Sequence, residues 1–423
     1  MLKSPKLYKH QIDALSFLAT KPKALLCLDA GLGKTAIAIK TFKLGERILV
    51  ITPATLKINW FKEIEIWQDH KFKIQIIRKK SEELSRDKNL VTIINYDILG
   101  GRKNKKIVPN FNFRKFDRVI VDEFHMIKNQ NAIRARIAAK IIKMTPNAIL
   151  LSGTPGERSA HLYVPLFATG AIDMKWSKYA DKFCEPKQIF LGSRTIMTYN
   201  GATNTEELKE LMRKNTLVMH KEDVIDLPKK DIQVVRLDLP VDKREANYDL
   251  FEILNDRRPL SFEGLAELLH DQGVRKVPLA SSHIKMRLEI YKKIFVVTVH
   301  REVTDLLMEK LKKFNPVKLD GRDKLEDKQK AVDTFQKDKN CRVFIGQIKA
   351  SGVGVTLTKS HHIIFVENNW SFSDLSQAID RLHRISQKVD VTAEILTIAD
   401  SIDDKILYKT LEKEKFVKDL FYE

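Results

Sequence analysis

Short runs of consecutive apolar residues alternate along this chain with segments in which apolar positions recur every three or four residues. The runs Ala24–Leu28, Arg47–Ile51, Val91–Asn95, Val119–Val121 and Ala148–Leu151 predict buried strands. Between them, Thr35–Leu44 and Asn131–Lys143 carry the helical period. Strand and helix in this rhythm predict a parallel sheet covered on both faces, an α/β fold. A second rhythm of the same kind begins near Ile294, with strands predicted at Phe295–Val299, Val343–Gly346, His362–Glu367 and Glu394–Ile398. Its helices are predicted at Glu302–Phe314, Leu325–Gln336 and Ser373–Arg384. The stretch Gly156–Lys293 is less regular, with helical patterns at Glu206–Arg213 and Phe262–Leu269, and reads as insertions packed on one or both α/β lobes. Ser401–Phe421 reads as one long polar helix.

Composition narrows the class. A chain of 423 residues, 43% hydrophobic and 31% charged, is expected to form two or three globular domains rather than a disordered tract. No stretch approaches the roughly 20 apolar residues of a membrane span. The opening MLKSPKLYKHQ lacks the apolar core of a secretory leader, so an intracellular, soluble protein is expected: cytoplasm or nucleoid for a prokaryotic or phage source, nucleus for a eukaryotic one. Cys27, Cys184 and Cys341 lie too far apart in sequence for a disulfide scaffold or a local zinc knuckle. The 75 Lys and Arg against 55 Asp and Glu leave a net charge of +20, which favours encounter with a polyanion or simply solvates the surface. Arg102, Lys103, Lys105 and Lys106 form a basic run in an expected loop, either solvated or in contact with nucleic acid.

The candidate chemistry begins at Asp29-Ala30-Gly31-Leu32-Gly33-Lys34-Thr35, which follows one predicted strand and opens a helix. In such a loop, glycines turn backbone N–H groups toward phosphates and the helix N-terminus favours negative charge. Lys34 would reach the terminal phosphates and Thr35 would offer its hydroxyl to Mg²⁺. Leu28 stands where the strict pattern G-x-x-x-x-G-K-[ST] has its first glycine. Val119-Ile120-Val121-Asp122-Glu123-Phe124-His125 is an apolar strand ending in two acids. There Asp122 can hold Mg²⁺ and Glu123 can polarise the attacking water of a phosphoryl transfer. Ser152-Gly153-Thr154 follows a third strand, with hydroxyls placed to link this site to the second lobe. Arg381 and Arg384, three apart, are expected on one face of a helix, from which guanidinium groups can stabilise charge on a γ-phosphate.

In order and spacing these strings resemble the superfamily-two helicases, and most closely the Swi/Snf-type DNA translocases. Tyr8-Lys9-His10-Gln11 resembles the adenine-reading glutamine motif, Asp29–Thr35 motif I, Ile51-Thr52-Pro53 motif Ia, Asp122–His125 motif II and Ser152–Thr154 motif III. Ser351–Thr358 resembles motif V, and Gln377-Ala378-Ile379-Asp380-Arg381-Leu382-His383-Arg384-Ile385-Ser386-Gln387 resembles motif VI. Within that branch, Phe183–Lys187 and Gly201–Asn204 are similar to the annealing, fork-remodelling helicases. Asp29-Ala30 replaces the usual acidic residue and Met of motif I, and Phe124 the usual Ala of motif II.

The resemblance implies two tandem RecA-like lobes with helical insertions between the motifs. It sets an ATP-binding lobe at 1–155, insertions and linker at 156–285, a helicase lobe at 286–400 and a C-terminal helix at 401–423 packing on the lobes. It implies catalysis by Lys34, Asp122, Glu123, Arg381 and Arg384, with Mg²⁺ on Thr35 and Asp122. ATP would contact Gln11, Gly31, Leu32, Gly33, Lys34, Thr35, Gly354, Arg381 and Arg384. Nucleic-acid contacts are expected at Thr52, Pro53, Lys57, Asn95, Tyr96, Thr298, Lys349 and Thr356. Coupling between the sites is expected at His125, Ser152, Thr154 and Gln377. Trp370 reads as a core or interface residue, with packing on DNA as the other reading. The expected activity is ATP-driven movement on duplex or branched DNA: fork remodelling, branch migration, annealing or protein displacement. Duplex or forked DNA is the expected partner, with RNA less so, no membrane, and protein partners in replication, recombination or repair. The alternatives are a strand-separating DNA or RNA helicase, a motor subunit of a larger DNA-processing complex, and a DNA-binding scaffold without turnover. No separate nuclease signature is present, so strand cutting would require a partner.

Overall fold

The computed structural model describes residues 5–113, 116–191, 194–239, 262–323, 325–348, 355–368, 371–384, 386–399 and 401–421. The chain divides into two compact units. The first comprises Met1–Lys187, Thr198–Val224 and Phe416–Glu423, and the second Gln188–Met197 and Ile225–Lys415.

The first unit is built on a seven-stranded sheet in the order β11-β1-β8-β7-β2-β4-β3. Its strands are β1 (Lys23–Leu28), β2 (Arg47–Thr52), β3 (Lys73–Ile76), β4 (Leu90–Asn95), β7 (Arg118–Asp122), β8 (Asn147–Ser152) and β11 (Thr216–Met219). Every pairing is parallel. Helices α1 (Lys9–Ala19), α2 (Lys34–Lys40), α3 (Lys57–Trp67), α4 (Ile133–Met144) and α5 (Ser159–Thr169) accompany it. The central strands are apolar on both faces because both faces are covered: β4 is buried throughout, and Val119, Ile120 and Val121 of β7 are fully inaccessible. Each such side chain contributes about 1.5–3 kcal/mol by leaving water. The five strands predicted here from apolar runs all form.

The second unit carries a six-stranded, wholly parallel sheet in the order β12-β17-β16-β13-β15-β14. Its strands are β12 (Lys230–Leu237), β13 (Ile294–Thr298), β14 (Val317–Leu319), β15 (Val343–Gln347), β16 (His362–Phe365) and β17 (Val391–Ile398). The predicted strands are present. The helix predicted at Glu302–Phe314 forms over Arg301–Lys310 and gives way to a 3-10 turn at Lys312–Phe314, and that predicted at Leu325–Gln336 forms over Leu325–Lys337. The architecture is therefore α/β with two parallel sheets flanked by helices, the RecA-like pattern expected.

Several local expectations change. The helix expected over Thr35–Leu44 stops at Lys40, where the Thr41 hydroxyl bonds the Ala38 carbonyl at 2.7 Å and Gly45 turns the chain at φ +89°. The helix expected over Ser373–Arg384 spans only Phe372–Ile379, so Arg381 and Arg384 do not share a helix face. They lie in a tight turn in which the Arg381 and Leu382 amides bond back three residues, to Ala378 and Ile379. The basic run is not a loop but a hairpin, β5 (Gly100–Lys103) with β6 (Lys106–Pro109), turned by Asn104 and Lys105 at φ +48° and +61°. Two consecutive left-handed residues match the twist of a two-residue hairpin turn. Within 156–285, β11 and β12 each form an edge strand of one of the two sheets. All three cysteines are buried.

The two strings similar to annealing helicases pack on each other. Thr203 and Asn204 close the end of the helix Trp176–Phe183: the Thr203 hydroxyl and the Asn204 amide each donate to the Lys182 carbonyl at 2.8 Å. A side chain at Gly201 would overlap Glu185.

Candidate nucleotide site

In the first unit the candidate residues leave the C-terminal ends of adjacent parallel strands, where open α/β sheets bind ligands. β1 runs into the phosphate loop, β7 into Asp122-Glu123 and β8 into Ser152-Gly153-Thr154. The loop depends on its glycines. Gly31 and Gly33 take φ +95° and +79°, and Gly33 forms the cap from which α2 starts. A side chain at Gly33 would overlap the Gln11 amide, whereas at Gly31 it would meet nothing within 4 Å. The loop is therefore backed by α1 on one side and open over Gly31. His10 Nε2 and Gln11 Nε2 both donate to the Leu32 carbonyl, at 3.1 and 3.3 Å, and Gln11 Oε1 accepts the Tyr8 amide at 3.0 Å. Gln11, expected at adenine, thus braces the loop. Leu32 itself is fully buried.

Lys34 Nζ donates to the carbonyls of Leu28 at 2.7 Å and Asp29 at 3.2 Å. These bonds hold the ammonium at the loop, beside Gly153, where a Cβ would stand 3.4 Å from it. Asp29 is held by the Lys221 amide at 3.0 Å and faces His220 at 3.6 Å. Burial alone would raise its carboxyl, but His220 and the Lys221 amide bring it below its ordinary value. His220 Nε2 donates to the Phe421 carbonyl at 3.1 Å. Burial opposes its charge, yet Asp29 and that carbonyl raise its pKa.

Asp122 is 7% exposed, and burial, then the charge of Glu123, push its carboxyl up to about 6. Two donors oppose this at one oxygen: Trp60 Nε1 at 2.7 Å and Thr52 Oγ1 at 2.9 Å, both to Oδ2. Oδ1 carries no hydrogen bond from the described residues. The Tyr96 hydroxyl donates to the Asp122 carbonyl at 2.5 Å. Glu123 takes φ +53°, a conformation unusual outside glycine, which turns the chain immediately after the strand. His125 Nδ1 stands 3.2 Å from Glu123 Oε2 and 3.3 Å from Ser152 Oγ, and Ser152 Oγ accepts the Thr154 amide at 3.1 Å. Of the four residues expected to couple the sites, His125, Ser152 and Thr154 are therefore linked in one connected group. Loop amides, the Lys34 ammonium, the Thr35 hydroxyl and the Asp122 carboxylate form a hard-donor set that suits a triphosphate with Mg²⁺. Among the described residues no cluster of three His, Cys, Asp or Glu side chains forms a separate metal site.

The residues expected at nucleic acid divide. Thr52, Tyr96 and Thr298 point inward: the Thr298 hydroxyl pairs with that of Thr304 at 2.7 Å, and Thr52 and Thr298 are fully inaccessible. Asn95 accepts Lys57 Nζ at 3.1 Å, while Pro53 and Lys57 remain partly exposed. Lys349, Gly354 and Trp370 lie outside the described residues, as do Ser351–Val353 and Ile385. In the second unit, Arg384 Nη1 donates to Thr356 Oγ1 at 2.5 Å and Nε to the Asp380 carbonyl at 3.0 Å. The Arg381 carbonyl accepts the Leu357 amide at 2.9 Å. Two further residues of that string hold the turn: His383 Nε2 donates to the Pro228 carbonyl at 2.8 Å, and Gln387 Nε2 to that of Ser360 at 3.0 Å. Gln377 is half-buried on the preceding helix. Trp60 is the main participant that motif reading passed over. It resembles any core tryptophan in sequence, although its place three residues after Lys57 on α3 was a usable sign.

The SNF2-related domain family matches residues 10–261, and the helicase conserved C-terminal domain matches residues 277–386. The first match covers more than half of the chain, and the protein belongs to the SNF2-related family. Among its relatives, the DNA annealing helicase and endonuclease ZRANB3 of Homo sapiens is 30% identical over 431 residues. That alignment covers 97% of this chain and 40% of the human protein. The SWI/SNF-related matrix-associated actin-dependent regulator of chromatin subfamily A-like protein 1 homolog of Caenorhabditis elegans is 30% identical over 429 residues, covering 94% of this chain and 59% of that protein. The chain thus spans 40% and 59% of these two relatives. The solved Sulfolobus solfataricus SWI2/SNF2 ATPase core in complex with dsDNA aligns at a TM-score of 0.44 and 21% identity, over 99% of this chain and 92% of that one. Among the described residues, no helix is long and apolar enough to cross a membrane.

Proposed function

We propose that this chain is an ATP-hydrolysing motor that moves on duplex or branched DNA. The observation that carries this is the meeting of Lys34, Asp122 and the linked Glu123–His125–Ser152 group at the ends of three neighbouring strands. Relatives named as annealing helicases favour branched DNA as the substrate. In this reading the loop amides and Lys34 cradle the phosphates of ATP, with Lys34 moving from the Leu28 carbonyl to the terminal phosphate. Mg²⁺, held by Thr35 and Asp122, would neutralise charge on the phosphate oxygens. Glu123 polarises the attacking water and His125 relays its state to Ser152. Arg381 and Arg384 stabilise transition-state charge, and substituting either with Ala slows hydrolysis on the order of 10³-fold with DNA affinity retained.

The deciding experiment is ATP hydrolysis by the full chain against duplex, forked and single-stranded DNA and RNA at one fixed salt concentration, because phosphate contacts weaken steeply with ionic strength. Stimulation by duplex or forked DNA above the single strand is expected. Stimulation by single strands alone, or by RNA, would replace this reading with a strand-separating helicase, and the absence of any hydrolysis would leave a scaffold.

A further inference from the structure

The hairpin and helix α4 together build a basic trough that the nucleotide chemistry does not use. Gly100 explains how closely they meet: a Cβ there would lie 2.7 Å from Ile137 Cγ1 on α4 and from the Val108 carbonyl across the hairpin. The hairpin is therefore seated directly on α4. Its exposed cations Arg102, Lys105 and Lys106 line a cleft of about 480 Å³ with Arg136 and Lys140 of the helix. Arg136 and Lys140 also line an adjoining cleft of about 500 Å³, continued by Lys143, Tyr163 and Phe167. Positions 136, 140 and 143 fall on one face of α4 and rise about 10 Å along it. Lys143 is steered by the Phe167 ring, its Nζ lying 3.2 Å from the ring centre.

This concentration of positive charge has no internal counterpart. No Asp or Glu lines either cleft. Residues 98–116 and 124–156 contain no acidic residue at all. Among the described residues, none of Arg102, Lys103, Lys105, Lys106, Arg136, Lys140 and Lys143 makes an ion pair. Lys105 even occupies a left-handed turn position usually given to glycine. Uncompensated like charges held together in this way raise the energy of the free protein and are relieved by a polyanion. A membrane is a poor occupant, because Met144 is the only large apolar side chain of either cleft's lining among the markedly exposed ones, at 46%. The hairpin also begins two residues after Ile98, in the segment that leaves Asn95 and Tyr96 at the end of β4.

We propose that the trough between the hairpin β5–β6 and α4 binds the phosphate backbone of a duplex arm, extending the nucleic-acid path beyond the strand ends. The proposal rests on the nucleic-acid reading above. It is tested with two full-chain variants, Arg102→Glu/Lys105→Glu/Lys106→Glu and Lys140→Glu/Lys143→Glu. Binding is followed by fluorescence anisotropy on duplexes of about 15 and 40 base pairs across a salt series, with circular dichroism and melting as the folding check. Each phosphate contact contributes about 0.9 to the slope of log K against log salt. The triple variant is therefore expected to lose about 3 from the slope on the long duplex and the double variant about 2, with smaller losses on the short one. Hydrolysis at saturating duplex is expected to stay at the unsubstituted level.

Unchanged slopes in both folded variants, while the unsubstituted chain binds duplex and is stimulated by it, overturn the trough alone. Failure of the unsubstituted chain to bind duplex overturns the reading on which the trough rests. Should a poly-glutamate peptide or vesicles of phosphatidylserine, tested in parallel, bind the unsubstituted chain through these residues while duplex does not, the assignment to nucleic acid falls. If either variant melts early, single Lys105→Ala and Lys140→Ala substitutions replace it, each expected to lower the slope by about 1.

Discussion

Replacing Trp60 with Phe removes one hydrogen-bond donor from Asp122 while keeping an aromatic ring in the core. The indole N–H lies 2.7 Å from Oδ2, and both partners are almost fully buried. A hydrogen bond to a charged acceptor contributes about 1.5–3 kcal/mol. At 1.36 kcal/mol per pK unit, its loss raises the Asp122 carboxyl by about one to two units. The direction follows from the chemistry: the indole donates, so it stabilises the ionised form, and without it the neutral form gains. Asp122 already stands at about 6, raised first by burial and then by Glu123. In the variant, a proton would therefore occupy the carboxylate near neutral pH, where Mg²⁺ has to displace it. The assay is the pH profile of DNA-stimulated turnover between pH 6 and 9, with the Mg²⁺ half-saturation of fluorescent-nucleotide binding measured at each pH. The acid limb is expected to move upward by about one to two units, with turnover recovering at pH 9. Merely loosened packing would depress turnover evenly at all pH. Profiles that superimpose after scaling, with unchanged Mg²⁺ half-saturation, would refute the reasoning.

Glu123→Gln is expected to retain nucleotide and duplex affinity while phosphate release slows about 10²–10⁴-fold, the usual worth of a general base. Gly33→Ala places a side chain at φ +79° and onto the Gln11 amide, so its melting temperature should fall further than that of Gly31→Ala, where only the backbone is strained. In the second unit Glu394 is 1% exposed and accepts from His283 and Arg287, each at 2.6 Å. Burial would raise its carboxyl, but His283 and His362 hold it well below the usual range. A depressed acid stabilises the fold above its unfolded pKa, near 4.3, and that stability is lost as pH falls toward the folded value. Glu394→Gln should therefore cost about 3–5 kcal/mol in urea unfolding at pH 7.5 and flatten the loss of stability below pH 4.5.

The elements nearest the chemistry were the most legible in sequence. The glycines of the phosphate loop, the acids ending β7 and the apolar runs of the central strands announce themselves because backbone geometry and burial on both faces restrict them strongly. Edge strands did not: β12 (Lys-Asp-Ile-Gln-Val-Val-Arg-Leu) mixes charged and apolar residues without a clean period, leaving Ile232 and Val234 37% and 46% exposed, and its place is set by pairing with β17. Three-residue spacing suggested a shared helix face for Arg381 and Arg384, but spacing cannot report where the helix stops, and here backward-bonding amides end it at Ile379. Thr52 and Tyr96 illustrate the remaining gap. Both sit where strand ends meet ligands, yet each donates to Asp122, a partner distant in sequence.

The buried cysteines have a practical consequence. Burial raises the thiols of Cys27, Cys184 and Cys341 above their ordinary value, so maleimide reagents will find almost no thiolate in the native protein. One cysteine introduced at an exposed position, Lys105 on the hairpin tip or Asp419 in the last turn of the C-terminal helix, would take a fluorophore alone, without stripping the natural thiols first. The protein is already suited to single-site optical reporting.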